Sequence, residues 1–221
     1  MSFTFAYETI VEEIRLGSHA LEIEKLKSLD ETIDGFFALY EKTGREELFE
    51  DLCPYFGVPW PAGTALAHYV AERAAAWPGK KVLELACGLA LPTLVLAKIL
   101  TGQEASFVAT DLHPDVPEFF RRNLARNNLR ASYRALDWRK ERGEADIILG
   151  SDLLYDRHQP PALLRFLAES TWEEVILSDP QRPYWDAFVG DVKKEFRAEE
   201  FSRGNIRFLR LVRESTGKLK S

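Results

Sequence analysis

The chain contains few cysteines and no long apolar run. Two cysteines among 221 residues, Cys53 and Cys87, cannot form a disulfide framework, so we interpret both as reduced thiols. No segment approaches the roughly 18 consecutive apolar residues of a membrane span. The chain starts with the acidic stretch MSFTFAYETIVEE, whereas a secretion signal starts with basic residues. These absences predict a cytoplasmic protein with no membrane contact.

The patterns of metal centres and acyl-transfer enzymes are also missing. The four histidines are scattered, and no C-x-x-C or H-x-x-E-H spacing occurs, so we predict no metal site. One of the four, His113, lies close to a predicted strand end and could contact a ligand there, but it is interpreted as a solvated loop residue. A nucleophile elbow would need a G-x-S-x-G sequence, which the chain does not have.

The charge of the chain excludes a general attraction to nucleic acid. Its net charge is −6, so we expect no nucleic-acid partner. A local basic stripe is interpreted as the solvated face of a helix: Arg121, Arg122, Arg126 and Arg130. With 46% hydrophobic and 29% charged residues, the composition is typical of an ordinary soluble globular protein.

Strand-like and helix-like segments alternate from Lys80 onwards. Such alternation predicts an α/β fold, with a mostly parallel sheet and helices on both faces. The end departs from this pattern, because strand-like segments 199–202 and 206–212 are separated only by Arg203-Gly204-Asn205. That turn leaves no room for a crossover helix, so the last strand should be antiparallel.

The N-terminal region predicts a hairpin followed by a helix. Polar and apolar residues alternate on both sides of Gly17-Ser18, which favours a two-residue turn with glycine first. Asp30 is predicted to cap a helix from about residue 31 to 42, which Gly44 ends. One face of this helix should pack on the main domain: Ile33, Phe36, Phe37 and Tyr40.

The stretch KVLELACGLALPTLVLA, residues 81–97, is the most informative part of the sequence. It predicts a buried strand, a turn of small residues and the start of a helix. A ligand can approach the backbone of such a slim turn closely. Asp111 ends the next apolar segment, 23 positions after Gly88, and acidic residues at about this distance meet ribose hydroxyls in nucleotide-binding sheets. The two features together predict a cofactor that contains adenosine.

Several motifs resemble those of seven-strand S-adenosylmethionine-dependent methyltransferases. They are ELACGLALP at 84–92, TDLHPDVPEFFRRNLARNN at 110–128 and LDW at 136–138. Two more resemble the protein-lysine methyltransferase group, methyltransferase family 16, which also contains nicotinamide N-methyltransferase-like proteins: the D-x-x-Y motif in GSDLLYD at 150–156 and the helix WPAGTALAHYV from Trp60. The resemblance covers about residues 58–213.

The resemblance implies a Rossmann-like seven-stranded methyltransferase sheet. Its last strand would be antiparallel and helices would cover both faces. We therefore divide the chain into an N-terminal extension, residues 1–57, packed on the core, and a methyltransferase domain, residues 58–221.

The resemblance also implies which residues bind the cofactor, S-adenosylmethionine. Glu84 and the turn backbone would hold the methionine part, and Asp111 would accept both ribose hydroxyls. Asp137 and Trp138 would meet adenine. The complete implied set is Trp60, Glu84, Ala86, Cys87, Gly88, Ala90, Asp111, Leu112, Asp137, Trp138 and Ser151. Two of these, Ala86 and Ala90, stand where the family motif usually has glycines.

The candidate catalytic residues are Asp152 and Tyr155. Methyl transfer moves positive charge from the sulfonium sulfur to the acceptor nitrogen, so a carboxylate beside that nitrogen helps most late in the reaction. We assign this role to Asp152, and Tyr155 would orient the acceptor amine. Alignment and desolvation would supply most of the rate enhancement, and S-adenosylhomocysteine would be the product.

These features predict an enzyme that N-methylates a lysine side chain of a protein substrate. A small-molecule N-methyltransferase with a nicotinamide-type substrate and a catalytically silent methyltransferase-like binding protein stay open as alternatives. A dinucleotide-dependent dehydrogenase is disfavoured by the single glycine of ELACGLALP. The run DPQRPY at 179–184 follows the fifth strand, not the fourth, so it is interpreted as a loop and not as the DPPY motif of nucleic-acid amino-methyltransferases.

Overall fold

The N-terminal part of the protein forms a hairpin and a helix. The structure is a computed structural model that describes residues 6–46 and 52–213. The elements described before the main sheet are β1 (Thr9–Leu16), β2 (His19–Leu26), α1 (Leu29–Thr43), a 3-10 turn at Tyr55–Gly57, α2 (Pro61–Arg73) and a 3-10 turn at Ala74–Ala76. Strands β1 and β2 pair antiparallel across Gly17-Ser18, as predicted.

Strands and helices alternate through the rest of the described chain. They are β3 (Lys81–Leu85), α3 (Leu91–Ile99), β4 (Ser106–Asp111), α4 (Val116–Arg126), β5 (Ser132–Ala135), β6 (Ile147–Ser151), α5 (Gln159–Glu169), β7 (Glu174–Asp179), α6 (Trp185–Glu195), β8 (Arg197–Arg203) and β9 (Ile206–Val212). Within residues 6–46 and 52–213, every helix is too short or too polar to cross a membrane.

The seven-stranded sheet confirms the predicted fold. Its strand order is β5-β4-β3-β6-β7-β9-β8; the first five strands are parallel, and β9 is antiparallel to both of its neighbours. Strands β3, β4 and β5 follow one another from the centre of the sheet to one edge. The chain then returns to the centre, and β6 begins the other half of the sheet next to β3. Strand β9 is antiparallel because the tight turn at Gly204-Asn205 returns the chain directly beside β8.

Alternate residues of the central strands point into two cores on opposite faces of the sheet. On β3, Val82 belongs to one core, while Leu83 and Leu85 belong to the other. Ile147 and Ile148 of β6 divide in the same way. Helices α2, α3 and α4 cover the first face, and α5 and α6 cover the second. Since both faces are covered, the central strands have apolar side chains on both sides.

Two asparagines of α4 form hydrogen bonds with the hairpin and so connect it to the helices that cover the main sheet. The Asn123 side chain accepts a hydrogen bond from the Glu24 amide at 2.7 Å and donates one to the Glu24 carbonyl at 3.1 Å. Asn127, one turn later, makes the same pair of bonds with Glu22, at 2.9 and 2.8 Å. Each asparagine therefore pairs with the β2 backbone as a strand residue would.

Arginines of the predicted solvated stripe also hold the hairpin. Arg122 and Arg126 lie 3.3 and 2.8 Å from the buried Glu24 carboxylate. Arg126 is exposed, as predicted for a solvated face, whereas Arg122 is half-buried. Arg121 is exposed and pairs with Glu118 of its own helix. Glu24 needs such partners, because an unpaired carboxylate is costly to bury.

Helix α1 begins earlier than predicted. Its cap is Ser28, whose side chain accepts a hydrogen bond from the Glu31 amide at 3.2 Å, so the prediction that Asp30 caps the helix was wrong. The predicted apolar face also does not pack as one surface. Phe36 is buried, but Phe37 is 53% exposed, because adjacent helical residues point about 100° apart.

The two asparagine contacts should differ in energy. Asn123 is completely buried, so Asn123→Ala leaves the Glu24 amide and carbonyl without partners. We expect this change to lower the free energy of unfolding by about 1–3 kcal/mol. The matched variant Asn127→Ala loses the same bonds where water can replace them, and should cost less than about 1 kcal/mol. Urea titrations of both variants measure the difference, and equal losses would contradict it.

Candidate active site

A cavity opens at the carboxyl ends of the parallel strands. Its volume is about 770 Å³, which is in the range of small-molecule sites. The loops after β3, β4, β5, β6 and β7 line it, together with parts of residues 53–63. Twelve of the thirteen predicted site residues lie in its lining: Trp60, Glu84, Ala86, Cys87, Gly88, Ala90, Asp111, Leu112, Trp138, Ser151, Asp152 and Tyr155.

The turn after β3 contains three left-handed residues. Ala86, Gly88 and Ala90 have φ angles of 44°, 52° and 56°. A Cβ atom on Gly88 would lie 3.1 Å from the carbonyl oxygen of Phe56, so both space and conformation favour glycine there. Each alanine adopts this backbone at a cost of about 1–2 kcal/mol. The turn keeps a conformation suited to glycine even where the sequence has alanine.

Glu84 is buried next to this turn. Its Oε2 accepts a hydrogen bond from the Thr93 amide at 2.9 Å, which joins β3 to the first turn of α3. Burial raises the pKa of the Glu84 carboxyl to about 8, and the nearby carboxylate of Asp111 acts in the same direction. Glu84 is therefore mostly protonated at neutral pH unless a cation comes close to it.

Asp111 joins the loops after β3 and β4. Its Oδ2 accepts a hydrogen bond from the Gly88 amide at 2.9 Å. Its Oδ1 accepts from the amides of Leu112 and His113 at 2.7 and 3.0 Å. These three bonds fix the carboxylate at the edge of the cavity.

The two residues predicted to meet adenine, Asp137 and Trp138, lie in the loop after β5 but differ in their position relative to the cavity. Trp138 is buried and lines the cavity. The Asp137 carboxylate lies outside the lining and is bonded to Arg139 at 2.8 Å and Lys140 at 3.1 Å. Its amide donates to the Glu141 side chain at 2.9 Å. A direct role of Asp137 in binding adenine stays a prediction.

Asp152 forms a two-bond ion pair that the sequence analysis did not foresee. Its Oδ1 and Oδ2 accept hydrogen bonds from Nε and Nη2 of Arg182, at 2.7 and 2.9 Å. Arg182 lies in the loop after β7 and also lines the cavity. The signal in the sequence was the run DPQRPY, which places an arginine just after a neighbouring strand end.

The mouth of the cavity is aromatic. Tyr155 is 62% exposed, and Trp60 stands partly exposed on another side of the cavity lining. The Trp60 Nε1 donates to the Tyr55 carbonyl at 2.7 Å, which fixes the indole. Ser151 is half-buried in the lining, and its Oγ would be 3.3 Å from a Cβ atom on Gly63 of α2. The mouth therefore presents aromatic ring surfaces.

Phe56, which the sequence did not single out, and His113, which it placed near the strand ends, both line the cavity. His113 is 8% exposed and its ring lies 4.3 Å from that of Phe56, so the interpretation as a solvated residue was wrong. His113 Nδ1 accepts a hydrogen bond from the Asp115 amide at 3.2 Å. Phe56 comes from the segment before α2 and packs against this histidine.

Strained backbone is concentrated at the cavity edge. Five described residues other than glycine have a positive φ. Four of them lie in the loops after β3, β6 and β7: Ala86, Ala90, Asp152 and Gln181. Such concentrations occur at ligand sites, where the surrounding structure holds residues in costly conformations.

Comparisons with known proteins agree with this geometry. The 16S rRNA N2 G1207 methyltransferase RsmC of T. thermophilus, solved with AdoMet and guanosine, has a similar fold, with a TM-score of 0.63. Its sequence is 16% identical, and the match covers 93% of this chain and 51% of that chain. At this identity, the likeness shows the fold alone.

Curated relatives are more similar in sequence. The electron transfer flavoprotein beta subunit lysine methyltransferase of Xenopus laevis is 31% identical over 139 residues, 58% of this chain and 53% of that protein. The protein N-lysine methyltransferase METTL21A of Danio rerio is 28% identical over 174 residues, 73% of this chain and 78% of that protein. The chain spans about half the length of the flavoprotein methyltransferases that it matches.

A family model described as lysine methyltransferase matches residues 54–189. This span is more than half of the chain and includes the turn after β3, Asp111, Asp152 and Arg182. The chain therefore belongs to the lysine methyltransferase family.

Proposed function

We propose that this chain is an S-adenosylmethionine-dependent methyltransferase that N-methylates a lysine side chain of a protein. One observation carries the proposal: a single cavity joins the left-handed turn at Gly88, the Asp111 carboxylate and the D-x-x-Y motif of Asp152 and Tyr155. The names of the Xenopus and Danio relatives support a lysine of a protein as the acceptor. Neither residue of the predicted catalytic pair is a strong general base. This agrees with methyl transfer, because that reaction depends on a neutral amine aligned with the methyl group.

The residues of the cavity fit S-adenosylmethionine. An ionised carboxylate has about four acceptor positions, and Asp111 Oδ2 has accepted one protein hydrogen bond, so it retains capacity for a ribose hydroxyl. Ionised Glu84 would meet the cationic amino group, and Leu112 with Trp138 offers apolar surface for adenine. When bound, the cofactor supplies an electrophilic methyl group on a sulfonium sulfur.

The acceptor lysine would enter past Trp60 and Tyr155. Its ammonium form has no lone pair, so the side chain must lose a proton before it reacts, although its ordinary pKa is about 10.4. The Tyr155 ring or hydroxyl would align the amine. Asp152 would stabilise the positive charge that develops on nitrogen as the new N–C bond forms.

Transfer of a labelled methyl group tests the proposal. The purified protein is incubated with methyl-labelled S-adenosylmethionine and a lysate of its native organism. We expect label in the protein fraction, located on lysine by mass spectrometry, and loss of label when lysate lysines are acetylated first. Label confined to small molecules would instead support a metabolite N-methyltransferase. Cofactor binding without label in either fraction would support a silent binding protein.

Asp111 and Asp152 should affect different steps. We expect Asp111→Asn to weaken S-adenosylmethionine binding by about tenfold or more, because a charged acceptor of hydrogen bonds is lost. Asp152→Asn should leave this affinity nearly unchanged and slow turnover by about 10²-fold. Calorimetry and initial rates measure the two effects. Asp156→Asn, an exposed carboxylate near the same mouth, is the matched control and should change neither.

Cofactor binding should release a proton from Glu84. Its pKa of about 8 in the free protein means that the carboxyl is protonated at about pH 7, and the cofactor's amino group would favour the charged form. Affinity should therefore rise as pH increases from about 6 towards the raised pKa. Calorimetry in buffers of different ionisation enthalpy measures the released proton. Glu84→Gln should bind with a heat independent of buffer, and buffer-independent heat in the parent protein would contradict the prediction.

A further inference from the structure

The ion pair between Asp152 and Arg182 is a built feature of the cavity. The guanidinium meets the carboxylate through two parallel bonds of 2.7 and 2.9 Å, the strongest geometry available to such a pair. The Asp152 side chain is only 13% exposed, while that of Arg182 is 39% exposed. Both line the cavity beside Tyr155, where the acceptor amine would stand.

The main chain holds each partner in place. Asp152 has a left-handed φ of 54°, and its amide donates to the Ser178 carbonyl of β7 at 2.9 Å. The Arg182 amide donates to the carboxylate of Asp179 at 2.5 Å. Two neighbouring strand ends therefore fix the pair, unlike exposed ion pairs, whose side chains are free to separate.

Other titratable groups lie near the ion pair of Asp152 and Arg182. Arg139, the cation from the loop after β5, is bonded to Asp137 at 2.8 Å. Asp179 is buried, and burial raises the pKa of its carboxyl. The other titratable groups that line the same cavity are Cys53, Tyr55, Glu84, Cys87, Asp111, His113, Arg139 and Tyr155, and Asp179 is bonded to the Arg182 amide.

A carboxylate without a partner would oppose the reaction at its first step. It would attract a lysine as the ammonium ion and raise the pKa of that ammonium, because an opposite charge nearby favours the charged form. The ammonium cannot attack a methyl group. Below the pKa of the amine, each unit of increase lowers its neutral fraction about tenfold.

We propose that Arg182 is a positioning residue that compensates the charge of Asp152, so that the acceptor lysine binds as a neutral amine. This inference rests on the proposed function. The two-bond contact also leaves a second lone pair on each Asp152 oxygen, which can accept a hydrogen bond from the amine N–H. As charge develops on nitrogen, the carboxylate is already aligned with it.

Binding of n-butylamine tests this inference without methyl transfer. This compound has the four carbons and amino group of a lysine side chain, and the protein is first loaded with S-adenosylhomocysteine. At about pH 7, where the amine is an ammonium ion, Arg182→Gln should bind it about tenfold more tightly than the parent protein. Arg182→Lys, which keeps the charge, should bind it as the parent does. Equal affinity in all three proteins would overturn the inference.

The pH dependence of methyl transfer gives a second readout. With the lysate acceptor, the pH at half-maximal kcat, which reports groups in the bound complex, should rise by about one unit in Arg182→Gln and return towards the parent value in Arg182→Lys. A uniform loss of rate with an unchanged pH profile would show a merely structural role and overturn the inference. Failure of the proposed function differs from both results, because the parent protein itself would then label no lysine. The n-butylamine measurement still decides the role of Arg182 in that case.

Discussion

The carboxyl ends of β3, β4 and β6 share one crowded edge, because these strands are parallel neighbours and the winding direction reverses between β3 and β6. Short bonds join the strand ends there. The Cys87 amide donates to the Thr110 carbonyl at 2.8 Å, and the Thr110 hydroxyl donates to the Glu84 carbonyl at 2.7 Å. The Asp111 carboxylate then reaches back to the Gly88 amide. The cavity keeps its shape because these loops hold each other.

The acidic residues of this edge have different partners. Among residues 6–46 and 52–213, Glu84 has no cationic partner, and burial raises the pKa of its carboxyl to about 8. Asp152 is bonded to Arg182, and Asp137 to Arg139 and Lys140. At this edge of the sheet, Glu84 would therefore ionise when a cation approaches, whereas Asp152 and Asp137 already have cationic partners. Such division of environments is how one fold separates binding from catalytic roles.

The N-terminal extension supports the wall of the cavity. The Tyr7 hydroxyl donates to the Asp115 carboxylate at 2.6 Å, and its ring packs edge-on against Phe56 with centroids 5.8 Å apart. Phe56 in turn lies against the Gly88 turn and the His113 ring. The extension therefore contacts the cavity through a continuous row of packed side chains. Its position at residues 1–57, as a unit separate from the methyltransferase domain, stays a prediction.

The sequence by itself determined the alternation of strands and helices, the antiparallel last strand and the edge of the sheet at which the cavity lies. These follow from local patterns, because periodicity predicts each element and parallel strands bring their carboxyl ends to one edge. Only the tertiary structure decided that Asp152 pairs with Arg182, that His113 is buried and that Phe37 is exposed. Asp152 and Arg182 are 30 residues apart, and His113 is covered by Phe56 from a different part of the chain. Such contacts depend on how neighbouring strand ends and loops pack, which no local pattern encodes.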